Sequence, residues 1–170
     1  MRRLFLLLLI ASASRTAVAG NAITTVILVR HAEKASATAD PTLSEAGSAR
    51  AAELARVLAD QTIDAVYATQ FHRTQDTAAL VAAEHHVKVQ VIKADAELAK
   101  YAVAEVVNSW GKTLLFVGHS NTIPDLIEAF GVAQHVTIAD DQYDELFIVT
   151  LATGVPARLL RLWYWAASKP

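Results

Sequence analysis

Two uninterrupted apolar runs, Val26-Ile27-Leu28-Val29 and Leu114-Leu115-Phe116-Val117, constrain this chain more than any other feature. A short apolar run without polar alternation suits a strand buried on both faces, as in a parallel sheet covered by helices. Each run stops at residues that carry chemistry: Arg30-His31 after the first, and Gly118-His119-Ser120-Asn121 after the second. In open α/β sheets ligands bind just outside the carboxyl ends of the strands. Both endings are therefore candidate site positions.

Strand candidates at Thr24–Val29, Ala65–Tyr67, Lys88–Ile92, Thr113–Gly118, Glu145–Leu151 and Arg158–Tyr164 alternate with helical stretches, the pattern of a βαβ protein. One helix follows Leu43-Ser44, with Ser44 placed to cap it. It carries Ala51, Leu54, Ala55 and Leu58 at helical spacing, and Val103, Val106, Val107 and Trp110 repeat that spacing. So do Ile123, Leu126, Ile127 and Phe130, with Pro124 at the start of that helix, where its missing N–H costs nothing. The link Ala152-Thr153-Gly154-Val155-Pro156 is too short for a parallel crossover and predicts an antiparallel hairpin. The expected fold is an α/β three-layer sandwich. It has a mostly parallel central sheet of about six strands, helices on both faces, and a C-terminal antiparallel hairpin.

Residues 1–19 read as an export signal: Arg2 and Arg3, an apolar stretch from Leu4 to Ala13, then the small residues Ala17-Val18-Ala19. That stretch is about half the roughly 20 residues that span a bilayer. The expectation is a signal peptide over 1–19 and one domain over 20–170. Export to the periplasm or medium follows, with no stable membrane insertion after signal removal. Three of the 15 basic residues lie in the signal and none of the 17 acidic ones. The remaining acidic surplus argues against a nucleic-acid partner. The absence of cysteine excludes disulfides, thiolate chemistry and cysteine metal sites.

If the strands run parallel, Arg30, His31, Arg73 and His119 meet at one edge of the sheet. Arg73 belongs to this set because Arg73-Thr74 opens a helix just after the second strand. Phosphoryl transfer needs such residues. Guanidinium forks neutralise the phosphate oxygens without deprotonating, and helix N-termini add amide donors. A neutral imidazole then attacks phosphorus, and a second imidazole steadies the shifting charge. A zinc hydrolase is disfavoured because no H-x-H or H-E-x-x-H spacing occurs. A serine hydrolase at Gly118-His119-Ser120 lacks the closing glycine of its elbow motif.

Arg30-His31-Ala32-Glu33-Lys34 resembles the R-H-G/A motif of the histidine phosphatase superfamily, the phosphoglycerate-mutase-like proteins. Leu43-Ser44-Glu45-Ala46-Gly47, Tyr67-Ala68-Thr69, Arg73-Thr74 with Thr77, and Val117-Gly118-His119-Ser120-Asn121 follow in the family's order. The length and simple loops look like the small bacterial exported members. The resemblance implies a metal-independent phosphatase without cofactor, acting on a small phosphorylated substrate. Phosphate monoesters or phosphoamidates would be hydrolysed through phospho-His31, with phosphate held by Arg30, Arg73 and His119. The alternative is a non-catalytic binder of phosphorylated ligands.

Two departures from the family stand out. Ala32 replaces the commoner glycine, and the insertion that carries a glutamate acid in many relatives is missing. Glu97 and Asp95 are candidates for that acid, although a charge at a helix start is commonly a cap or dipole partner. Glu33, Lys34, Ser120 and Asn121 are candidate substrate contacts; for Glu33 and Lys34 a solvated ion pair is the competing reading. His72 reads as a surface residue and His85-His86 as a helix end. Trp163-Tyr164-Trp165 reads as packing.

Overall fold

The computed structural model describes residues 22–165. The expected signal at 1–19 lies outside the described residues. Ten elements run in chain order: β1 (Ile23–Arg30), α1 (Glu45–Leu58), β2 (Ala65–Thr69), α2 (His72–Glu84), β3 (Val89–Ile92), α3 (Leu98–Asn108), β4 (Thr113–Gly118), α4 (Thr122–Ala129), β5 (Glu145–Ala152) and β6 (Val155–Trp163). They form one sheet in the order β3-β2-β4-β1-β5-β6. The first four strands are mutually parallel, while β5 runs antiparallel to β1 and β6 to β5.

The apolar runs lie in the two central parallel strands, as their lack of alternation requires. Successive side chains point to opposite faces of a strand. Val26, Leu28, Leu114 and Phe116 meet α3 and α4 on one face. Ile27, Val29, Leu115 and Val117 meet α1 and α2 on the other. The three layers are thus built from one alternating register.

The hairpin is present, but its link is only Thr153-Gly154, with Gly154 at φ 75°. Val155 and Pro156 belong to β6, and proline is tolerated there because β6 is an edge strand. In α3 the buried stripe is Leu98, Ala102 and Val106 rather than the expected one. Val107 is 62% exposed, and Trp110 lies beyond the helix end. Of the terminal aromatics only Tyr164 is buried; Trp163 is 58% exposed, a correction to the packing reading.

Two glycines set the approach of helix to strand end. A Cβ on Gly47 would stand 2.2 Å from the Glu33 carbonyl oxygen. One on Gly118 would stand 2.7 Å from Thr122 Oγ1. In both places the helix start lies against the loop leaving a strand, which only a missing side chain allows.

Candidate active site

The carboxyl ends of β1 and β4 lie side by side, with Arg30 opposite Gly118. The His31 amide donates to the Gly118 carbonyl at 2.9 Å. Parallel pairing therefore delivers the next residue of each strand, His31 and His119, to the same edge. Their rings meet edge to face with centroids 5.3 Å apart. Thr69 closes β2 next to β4, and the first turn of α2 brings Arg73.

His31 Nδ1 lies 2.7 Å from the carbonyl oxygen of Ala32. A carbonyl can only accept, so Nδ1 carries the proton and Nε2 keeps its lone pair. Burial, then the neighbouring His119, Arg30 and Arg73, lower its pKa to about 3, against the opposing bond to Ala32. At neutral pH the ring is uncharged.

His119 Nε2 lies 2.9 Å from the Thr69 hydroxyl, which is 2.9 Å from that of Thr74. The Thr74 hydroxyl donates to the Phe71 carbonyl at 2.7 Å. Following the protons outward, Thr69 donates to Thr74 and accepts from His119, which assigns the His119 proton to Nε2. Burial, then Arg73 and Arg30, lower the pKa of His119 to about 4.

The arginines complete the set. Arg30 Nη1 donates to the carbonyls of Ala139 (2.7 Å) and Gln142 (3.0 Å), and its guanidinium lies 4.2 Å over the Tyr143 ring. Arg73 lies 4.4 Å over the Phe71 ring, with Nη1 donating to the Ala39 carbonyl at 3.3 Å. Its Nη1 is also 3.8 Å from the Asp40 carboxylate. The Nε atoms of both arginines are buried without a hydrogen-bond partner. Leaving a buried donor unpaired costs roughly 1–3 kcal/mol. Both guanidinium charges act on the two uncharged imidazoles, an arrangement suited to an anion.

The remaining sequence candidates separate. Glu33 is not a free substrate contact: Arg50 Nε donates to both its carboxylate oxygens at 2.9 and 3.0 Å, and Nη2 donates at 2.6 Å. Burial pushes the Glu33 carboxyl up, but the Arg50 bonds outweigh it and hold the group below its usual range. Lys34 is exposed, and its backbone bridges Leu43. Ser120 is half-buried, and the exposed Asn121 begins α4 without a side-chain cap bond. Glu97 is turned to the surface, where its carboxylate lies 3.0 Å from Lys100 Nζ. Asp95 accepts from the Glu97 amide at 2.9 Å. Both follow β3, which β2 and β4 separate from β1. A concavity of about 970 Å³ holds none of the four residues. It reaches Thr25 and Thr113 at the amino ends of β1 and β4, away from the site.

Sequence reasoning missed Arg50, Tyr143 and Asp40, and it named Thr69 in a motif without its bond to His119. Arg50 left a trace, since a charge three residues after Gly47 falls on the buried face of α1. Tyr143 left none, because it precedes β5 in an irregular loop with no period to read.

The fold is α/β, with two arginines and two uncharged histidines gathered at the carboxyl edge of its sheet. Residues 26–101 match the histidine phosphatase superfamily (branch 1), and this segment includes Arg30, His31 and Arg73. Over that segment the chain is similar to the superfamily. A mycobacterial glucosyl-3-phosphoglycerate phosphatase is 18% identical, with 85% of this chain and 100% of that chain covered and a TM-score of 0.65. The protein histidine phosphatase SixA complexed with tungstate is 17% identical, with 82% and 96% covered and a TM-score of 0.66. A phosphoserine phosphatase mutant from Entamoeba histolytica in complex with phosphoserine is 15% identical, with 77% and 95% covered and a TM-score of 0.60. At these identities the likeness is one of fold. A comparison with curated proteins by sequence found no match.

Proposed function

We propose that the protein is an exported, metal-independent phosphatase that hydrolyses phosphate monoesters or phosphoamidates through a phosphohistidine on His31. The charges of Arg30 and Arg73, felt by both imidazoles, beside a His31 ring whose free nitrogen is Nε2, carry this reading. In the first step the His31 Nε2 lone pair forms a bond to phosphorus. The bond to the leaving oxygen or nitrogen breaks, and its electron pair departs with the leaving group. Arg30 and Arg73 neutralise the non-bridging oxygens, and the His119 Nε2–H turns from the Thr69 hydroxyl to donate to one of them. Water then attacks phosphorus and releases phosphate, and the electron pair of the P–N bond returns to Nε2. A cation would meet two guanidinium groups here, which supports a reaction without metal.

The single domain over 20–170 and the export signal belong to this proposal, as do the contacts of Lys34, Ser120 and Asn121 with a small substrate. The test is phosphate release from phenyl phosphate by the full chain, with and without chelator, beside His31→Ala. Loss of turnover by about a thousandfold or more in the variant is expected for a nucleophile. Acid-labile phosphate on the wild-type protein after rapid quenching is also expected. Wild-type turnover in His31→Ala overturns the mechanism. Tight binding of phosphorylated ligands without turnover would instead favour a non-catalytic binder.

A further inference from the structure

We propose that the site selects phosphate carried by a flat aromatic leaving group, which seats against the rings of Tyr143 and Phe71. This rests on the phosphatase reading above and names the substrate class for it. Four rings stand in a row across the carboxyl edge of the sheet. Phe71 is 5.2 Å from His119, His119 is 5.3 Å from His31, and His31 is 5.9 Å from Tyr143. The two inner rings flank the reacting phosphate. The two outer rings are only half-buried, and each lies under one of the phosphate-binding guanidinium groups, at 4.4 and 4.2 Å. A leaving group therefore meets an aromatic ring at whichever end of the row it lies.

An aromatic leaving group gains from burying these rings. A polyol leaving group would lose water from its hydroxyls against the same surface. The acid chemistry agrees independently. The Glu33 carboxylate is held by Arg50, that of Glu97 by Lys100 at the surface, that of Asp95 by the Glu97 amide, and that of Asp40 by the His72 amide beside Arg73. Phenolate-type groups depart with little protonation, whereas a sugar alkoxide needs an acid beside it. Nor is the Tyr143 ring required to fix its own loop. That loop is tied down by Arg30 on the Ala139 and Gln142 carbonyls, and by the Tyr164 hydroxyl donating to the Tyr143 carbonyl at 3.2 Å.

The experiment separates ring contact from leaving-group acidity. kcat/KM is measured with the full chain for phenyl phosphate and for hexafluoroisopropyl phosphate, an alkyl ester of comparable leaving-group acidity. Wild type is expected to favour the phenyl ester by about tenfold or more, the scale of one apolar contact in a pocket. Tyr143→Leu and Phe71→Leu are expected to reduce that ratio to about threefold or less, and Tyr143→Phe to retain it. Circular dichroism establishes that each variant is folded, and the ratio within one variant is independent of its active fraction. Equal rates for the two esters in wild type overturn the proposal. So does a loss in both leucine variants that strikes the two esters alike, because the rings would then serve only to hold the arginines. Absence of turnover with either ester overturns the phosphatase reading itself, and this proposal with it.

Discussion

The buried hydroxyl of Thr77 accepts from the Ala32 amide at 3.0 Å and donates to the Arg73 carbonyl at 2.7 Å. It thereby joins the loop carrying the proposed nucleophile to the helix turn carrying Arg73, a proposed phosphate ligand. The same Ala32 residue supplies the carbonyl that fixes the His31 tautomer. Misplacing a reacting group by about 1 Å can cost on the order of a hundredfold in rate. Thr77→Val, which keeps the shape and removes both bonds, is expected to lower kcat by about ten- to a hundredfold while KM changes less. Thr77→Ser is expected to recover most of that loss. Steady-state kinetics on phenyl phosphate decide it: equal activity in the valine and serine variants would show that the hydroxyl does not position the site.

At the scale of elements, the decisive contact is the N-terminal turn of α1 against the loop after β1. Ser44 accepts from the Gly47 amide through its side chain, and its own amide donates to the Glu33 carbonyl at 2.9 Å. Arg50, one turn further along α1, grips the Glu33 carboxylate. Glycine to alanine inside a helix ordinarily gains about 1 kcal/mol. At Gly47 the new methyl would meet the Glu33 carbonyl oxygen at 2.2 Å, so the helix must back away. Gly47→Ala is therefore expected to destabilise the fold by about 2–3 kcal/mol, the scale of overpacking, as read from urea midpoints. A neutral or stabilising result would show that α1 does not sit this close. In sequence Ser44 was legible as a cap because capping is local. The closeness of Gly47 was not, since its partner lies fourteen residues back in a different layer.

For the molecule as a whole, burying two imidazoles ties stability to pH. The folded pKa values of about 3 for His31 and about 4 for His119 lie below the ordinary value of 6.5. Below pH 6.5 the unfolded chain takes up protons that the folded chain refuses, so stability falls with pH until the folded values are passed. Between pH 7 and pH 4 this contribution is on the order of a few kcal/mol. Urea midpoints measured across that range are expected to fall for the wild type and to fall less steeply for His31→Gln/His119→Gln. Parallel slopes would contradict the burial of neutral imidazoles. Carboxylates titrate in both proteins, so the difference isolates the two histidines.

The sequence by itself determined the layered α/β architecture, because apolar runs of strand length and helical stripes are local periodicities that survive any packing. It also determined that Arg30, His31 and His119 stand at strand ends and Arg73 at the helix start after β2, and parallel pairing then places them at one edge. Only the tertiary structure decided which of their neighbours share that edge. Glu33 and Glu97 were equivalent as charged residues near a motif, yet one is held by Arg50 and the other by Lys100. Tyr143 enters through an irregular loop, where no period records direction, and it is fixed by the carbonyls that Arg30 binds. Periodicity reports which face a residue occupies. Long-range hydrogen bonds decide what stands opposite it, and those depend on residues more than a hundred positions apart, as Arg30 and Ala139 are.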